Sequence, residues 1–165
     1  MAGPQRLRQD ASGGMDTLRT PPHSIEAEQA VLGGLLLDTT AWDQVGDSVN
    51  ADEFYRNDHR LIFAAIGGLA AESRPIDVVT VSEYLQRHAQ LEEAGGLAYL
   101  GTLARDTPTA ANVRAYAQIV RERALLRGLV SAGTAIARGA AVLAWGATGG
   151  TKSRSARGAP AHSQN

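Results

Sequence analysis

Residues 107–138 read TPTAANVRAYAQIVRERALLRGLVSAGTAIAR. After Pro108 the stretch contains no further proline. Val113, Tyr116, Val120 and Ala124 recur at three- and four-residue intervals, the spacing that places side chains on one face of an α-helix. From there the apolar stripe drifts to Leu125, Leu126, Leu129, Val130 and Ile136. A drift of this kind fits a helix packed on different neighbours at its two ends, or a break near Arg127-Gly128. In either case the segment carries more apolar surface than one seam needs. An unpartnered apolar stripe marks an interface, so Tyr116, Ile119, Val120, Leu126, Leu129 and Val130 are the candidate association residues.

Upstream, the same periodicity recurs in shorter pieces. Ser24 is placed to cap a first helix, with Glu26 and Glu28 in its opening turn where the helix dipole favours them. Val31, Leu32, Leu35 and Leu36 form its apolar face. Gly33-Gly34 lies inside that face and reads either as a weak helix or as a close approach to another helix. Thr39-Thr40 is expected to cap a short second helix bearing Trp42, Val45 and Val49. Asn57 is expected to cap a third, with Ile62, Ile66 and Leu69 in its seam and His59 and Phe63 beside it. Pro75-Ile76-Asp77 interrupts the chain before a fourth helix that runs to about Ala89, capped by Asp77 or Thr80, with Thr80 and Glu83 matching a capping box. Gly95-Gly96 precedes a fifth, carrying Leu97, Leu100 and Leu103. Val78–Val81 is the one β-branched cluster, and its caps favour helix. The fold class is all-α.

Composition narrows the function. The 165 residues carry a formal net charge of −1 and no cysteine. That balance lacks the basic excess of a nucleic-acid-binding face, and without cysteine there is no thiolate chemistry or thiolate zinc site. No apolar run is seen to approach the ~20 residues of a membrane span, so no membrane partner and a soluble, cytoplasmic protein are expected. Residues 1–20 are polar and aperiodic and read as a disordered arm. The final 27 residues, from Gly139, contain neither Asp nor Glu and decay into Gly, Ser, Ala and Arg.

Catalytic constellations are weak. Gly146-Ala147-Thr148-Gly149-Gly150-Thr151-Lys152-Ser153 resembles a phosphate-binding loop, yet Thr151 stands where that loop needs glycine. The four histidines, His23, His59, His88 and His162, show no metal-ligand spacing; His59 reads as a core or boundary histidine bonded to backbone. No Gly-x-Ser-x-Gly elbow occurs. Arg114, Arg121, Arg123 and Arg127 fit a solvated helix face better than a phosphate track. No catalytic, cofactor-binding or metal residue is assigned.

Five ordered blocks resemble the N-terminal domain of bacterial replicative DNA helicases, the DnaB family. They are Pro21–Gly34 (PPHSIEAEQAVLGG), Asp52–Tyr55 with His59-Arg60 and Ile62-Phe63, Pro75–Asp77, Gly95–Leu100, and Thr107–Ala124. The resemblance implies a helical head over 21–106, followed by the first long helix of a helical hairpin over 107–138. It further implies self-association as dimers that build the collar of a hexamer, with primase and a helicase loader as partners in the primosome. ATP and magnesium belong to the family's RecA-like motor, which translocates on DNA and has no counterpart in this chain. The chain is therefore expected to be a non-enzymatic assembly domain acting in DNA replication. The alternatives are the parent activity, an ATP-dependent 5'-3' DNA helicase, and an independent helical DNA-binding regulator. From Gly139 the chain departs from the family's acidic second hairpin helix. A truncated or out-of-frame ending accounts for that departure, and adjoining DNA with no motor-encoding frame would count against it. Residues 139–165 are accordingly expected to be an atypical, disordered tail.

Overall fold

The computed structural model describes residues 20–148, with side chains to 146. Among these residues there are six α-helices and no strand. They are α1 (Ile25–Leu37), α2 (Trp42–Val45), α3 (Asn57–Ala71), α4 (Val78–Arg87), α5 (Gly96–Asp106) and α6 (Val113–Thr148). Short 3₁₀ turns, Thr39–Ala41 and Ala51–Glu53, precede α2 and α3. The chain divides into a unit ending at Leu129 and a second beginning at Val130.

The first unit holds the core. Val31, Leu32 and Leu35 of α1, Ile62, Ile66 and Leu69 of α3, and Val81 and Leu85 of α4 have no exposed surface, as do Leu100 of α5 and Val113 of α6. Burying each such side chain stabilises the fold by roughly 1.5–3 kcal/mol. Phe54 and Phe63 pack with ring centres 4.9 Å apart, and Trp42 lies 5.4 Å from Phe63.

The caps explain where helices begin, and several differ from expectation. Ser24 does cap α1, its hydroxyl accepting from the Ala27 amide at 3.3 Å. The turn before α2 is capped by Asp38, whose Oδ1 accepts from the Thr40 amide at 2.9 Å, in place of the expected Thr39-Thr40. Asp38 wins because its acceptor needs no hydroxyl hydrogen to be turned away. Asn57 lies inside α3 and donates to Glu93 at 2.7 Å, so its side chain is turned away from the helix end. In α4 the reciprocal box joins Asp77 and Thr80, two residues read as alternative caps; Glu83 is not its partner, and the helix ends at Arg87.

The two readings of Gly33-Gly34 are resolved in favour of close packing. A Cβ on Gly33 would lie 1.9 Å from Thr107 Oγ1 and 2.3 Å from the Leu103 carbonyl. The α1–α5 contact therefore needs the missing side chain. Gly95, with φ of +97°, opens α5 in the left-handed region, where an added Cβ would also meet the Tyr99 ring at 2.8 Å. Leu100 and Leu103 are buried as expected, but Leu97 faces solvent at 55% exposure.

The long segment is one continuous helix. It begins at Val113, shows no break at Arg127-Gly128, and runs through residues 139–148 of the expected disordered tail. A Cβ added at Gly128 would meet nothing within 4 Å, so no close approach calls for glycine there. Residues 1–19 and 149–165, with most of the near-miss phosphate loop, lie outside the described residues.

Val113–Gly146 is also long and apolar enough, by length and composition alone, to cross a membrane, and none of its most apolar stretch is buried. This corrects the expectation that no such run exists. Alanines interleaved with Leu, Val and Ile, with Arg138 the one charge between Arg127 and Gly146, make up the length that runs of large residues alone do not.

Candidate functional site

Helix α6 has two opposed rows within the first unit. Val113, Ala117 and Val120 are buried, Ala124 and Arg127 are half-buried, and these positions share one face at i, i+4, i+7, i+11 and i+14. On the other side Leu125, Leu126 and Leu129 are 58%, 42% and 68% exposed. From Gly128 to Gly146 every described residue is exposed.

These rows sort the candidate association residues. Val120 belongs to the core, and Tyr116 and Ile119 are half-buried against it, so Val120 faces inward while the other two keep part of their surface outside. Leu126, Leu129 and Val130 lie at the surface. Leu125 joins them. An open groove of about 560 Å³ is lined by Asp52, Glu53, Ala124, Leu125, Gly128 and Leu129. Periodicity alone could not separate the two faces, because apolar residues occupy both.

Arg127 departs from the solvated face expected of it and is half-buried. Its Nη1 donates to the Pro22 carbonyl at 2.9 Å and its Nη2 donates to the Glu53 carbonyl. The guanidinium lies 5.7 Å from the centre of the Tyr55 ring, and the His23 ring stacks on Tyr55 at 4.3 Å. Burial pulls the Arg127 pKa below the ordinary arginine value, with Glu28 opposing that shift. Arg121 reaches the Ser48 carbonyl at 3.2 Å.

Sequence reasoning missed the polar centre of the head. Glu28, expected as a dipole partner in the first turn, is buried. Its Oε1 accepts from the Tyr55 amide at 2.6 Å and its Oε2 from His59 Nδ1 at 2.6 Å. His59 is fully buried, and its partners are side chains where backbone was expected. His59 Nε2 lies 2.7 Å from the Tyr99 hydroxyl, and that oxygen accepts from Gln29 Nε2 at 3.3 Å. Each buried side-chain polar atom among the described residues has a partner. The available signal was the pairing of Glu28 and His59 on apolar helix faces, since buried charge is tolerated only when matched.

Next to this network, Arg56 and Asp58 form a fork, with Nε to Oδ1 at 2.9 Å. The bond to Asp58 holds Arg56 above its ordinary pKa. Burial pushes Asp58 up, but the Arg56 guanidinium, the His59 ring and the His59 amide outweigh it and hold the carboxyl below its usual range. Among the described residues no three His, Asp or Glu side chains cluster as a metal site.

The class these residues define is an all-helical domain with a saturated polar centre and an apolar row exposed on its last helix. Residues 20–122 match the family model described as DnaB-like helicase N terminal domain, and the chain belongs to that family. It is 50% identical over 117 residues to the replicative DNA helicase DnaB of Haemophilus influenzae, covering 71% of this chain and 25% of that protein. The Geobacillus stearothermophilus DnaB is 48% identical over 120 residues, 73% of this chain and 26% of that one. The crystal structure of the N-terminal domain of DnaB helicase from Mycobacterium tuberculosis superposes with a TM-score of 0.70 at 44% identity, covering 72% of this chain and 86% of that one. The chain thus spans about a quarter of the length of the curated relatives it matches. The family-model match is to the N-terminal domain.

Proposed function

We propose that this chain is an assembly domain of a replicative DNA helicase that associates with copies of itself through the exposed row of α6. The observation carrying this reading is the row of Leu125, Leu126 and Leu129 on the face of α6 opposite its buried row. Exposed side chains of this size at adjoining positions form a patch that water disfavours, and a second helix laid along it excludes that water. In this reading the domain builds the collar of a hexamer and docks primase and the helicase loader during replication. ATP, magnesium and DNA are handled by the family's motor. The setting is the cytoplasm.

Light scattering across a concentration series tests this directly, with and without a C-terminal primase fragment. The expected result is a mass above the monomer that falls to the monomer for Leu126→Ser/Leu129→Ser, together with added mass when primase is present. A strict monomer at every concentration, indifferent to primase, would remove the basis of the proposal. ATP hydrolysis by the purified chain would do so from the other side.

A further inference from the structure

Helix α6 carries its last half-buried side chain at Arg127; every described residue after it is exposed. That residue is an odd choice for the end of an apolar row. The row Val113, Ala117, Val120, Ala124 would be closed most simply by another aliphatic group. In its place a guanidinium donates to two main-chain carbonyls that belong to separate segments, Pro22 in the lead-in to α1 and Glu53 before α3. Neither carbonyl is on α6, so the bonds join three pieces of chain at one planar group. Tyr55 lies under that group and stacks on His23, so the same two segments also meet the guanidinium through aromatic rings. Tyr55 is itself fixed from below, because its amide donates to the buried Glu28 carboxylate. The exposed residues Leu125, Leu126 and Leu129 sit within two positions of this anchor.

We propose that Arg127 is a positioning residue for association, a clamp that fixes the turn of α6 bearing Leu125, Leu126 and Leu129 against the head. This rests on the reading of that row as the self-association surface. The chemistry suits the task. A guanidinium has five N–H donors in a rigid plane and stacks on aromatic faces, so one side chain can hold two carbonyls and a ring together. Bonds from a charged donor are about twice as strong as neutral ones. Without the clamp, the apolar anchors Val120 and Ala124 remain, and the turn beyond them is no longer held against the head. A surface that is not held in place must be ordered again at each association event, and that ordering weakens binding.

The experiment uses the full chain and three variants: Arg127→Lys, Arg127→Met and Leu129→Ser. Lysine keeps the charge on a flexible stem with no plane, and it cannot span both carbonyls while covering Tyr55. Amide hydrogen exchange and the association constant from sedimentation equilibrium are read for each. Both Arg127 variants are expected to speed exchange in residues 51–56 and 124–129 roughly tenfold, and to weaken association by a similar factor. Exchange in α1 and α3 should stay at the wild-type rate. Leu129→Ser should lose association with exchange in the head unchanged.

Exchange that speeds uniformly over the head would make Arg127 an ordinary stabilising residue and overturn the proposal. Local exchange that rises while association stays at the wild-type value overturns it as well, and so does wild-type behaviour of Arg127→Met in both measurements. If Leu129→Ser associates normally, the self-association reading falls, while the exchange pattern of the Arg127 variants still decides whether the clamp exists.

Discussion

A methyl group at Gly33 has nowhere to go. Its nearest neighbours would be a threonine hydroxyl at 1.9 Å and a main-chain carbonyl at 2.3 Å, and the carbonyl cannot rotate aside. Gly33→Ala is expected to cost about 3 kcal/mol by forcing α1 and α5 apart, read as a lower urea midpoint at unchanged m-value. Asp58 makes a different prediction. Its carboxyl is held below its ordinary range in the folded chain, so on acidification the unfolded chain takes up the proton first. Its contribution to stability is complete above about pH 5 and is lost as pH falls through the range where a free aspartate titrates and below. Asp58→Asn should flatten that part of a stability–pH curve; an unchanged slope below pH 5 would show that Asp58 carries none of it. The glycine pair was visible in the sequence, but its meaning was not. What Gly33 meets is contributed by Leu103 and Thr107, about seventy residues further on.

At the scale of the element, local rules did well where one residue had one good partner. Ser24 is legible as a cap because a cap bonds only three residues ahead, whereas Asp77 and Thr80 stay alternatives in the sequence until the structure joins them in one box. Asp77→Ala is expected to remove about 1 kcal/mol, with the loss in exchange protection confined to the first turn of α4; loss spread across α1 and α3 would contradict the assignment. The short helices were placed less well. At α2 and α3 several neighbouring polar residues could cap, and packing elsewhere chose among them: Asn57 is engaged by Glu93, so it is turned from its own helix end. In α6 the drift of the stripe left two readings. The structure has the continuous helix, with the head on its first half and an exposed apolar row beginning at Leu125.

The molecule as a whole is joined by contacts that cross large separations in sequence. Glu28 meets His59 across 31 residues, His59 meets Tyr99 across 40, and Arg127 meets Pro22 across 105. Glu28→Ala strands a buried imidazole and two loop amides together, so it is expected to cost about 3–5 kcal/mol, measurable as a large fall in the thermal midpoint. Residues from Val130 to Gly146 are exposed throughout their own unit. A chain ending at Leu129 should therefore melt at the midpoint of the full chain, and a drop of several degrees would show that the later residues stabilise the head.

The sequence by itself determined the class of fold, the rows that form the core, the punctuation between helices, and the family to which the blocks from Pro21 to Ala124 belong. These follow from periodicity, capping and block order, which are local or colinear properties of a chain. The tertiary structure alone decided that Glu28 and His59 are a buried pair, that Gly33 is a contact, and that Arg127 is an anchor. It also decided which apolar face of α6 stays outside. Each of these depends on what a distant segment brings to the same point in space, and a side chain's burial and partners exist only once that segment has arrived.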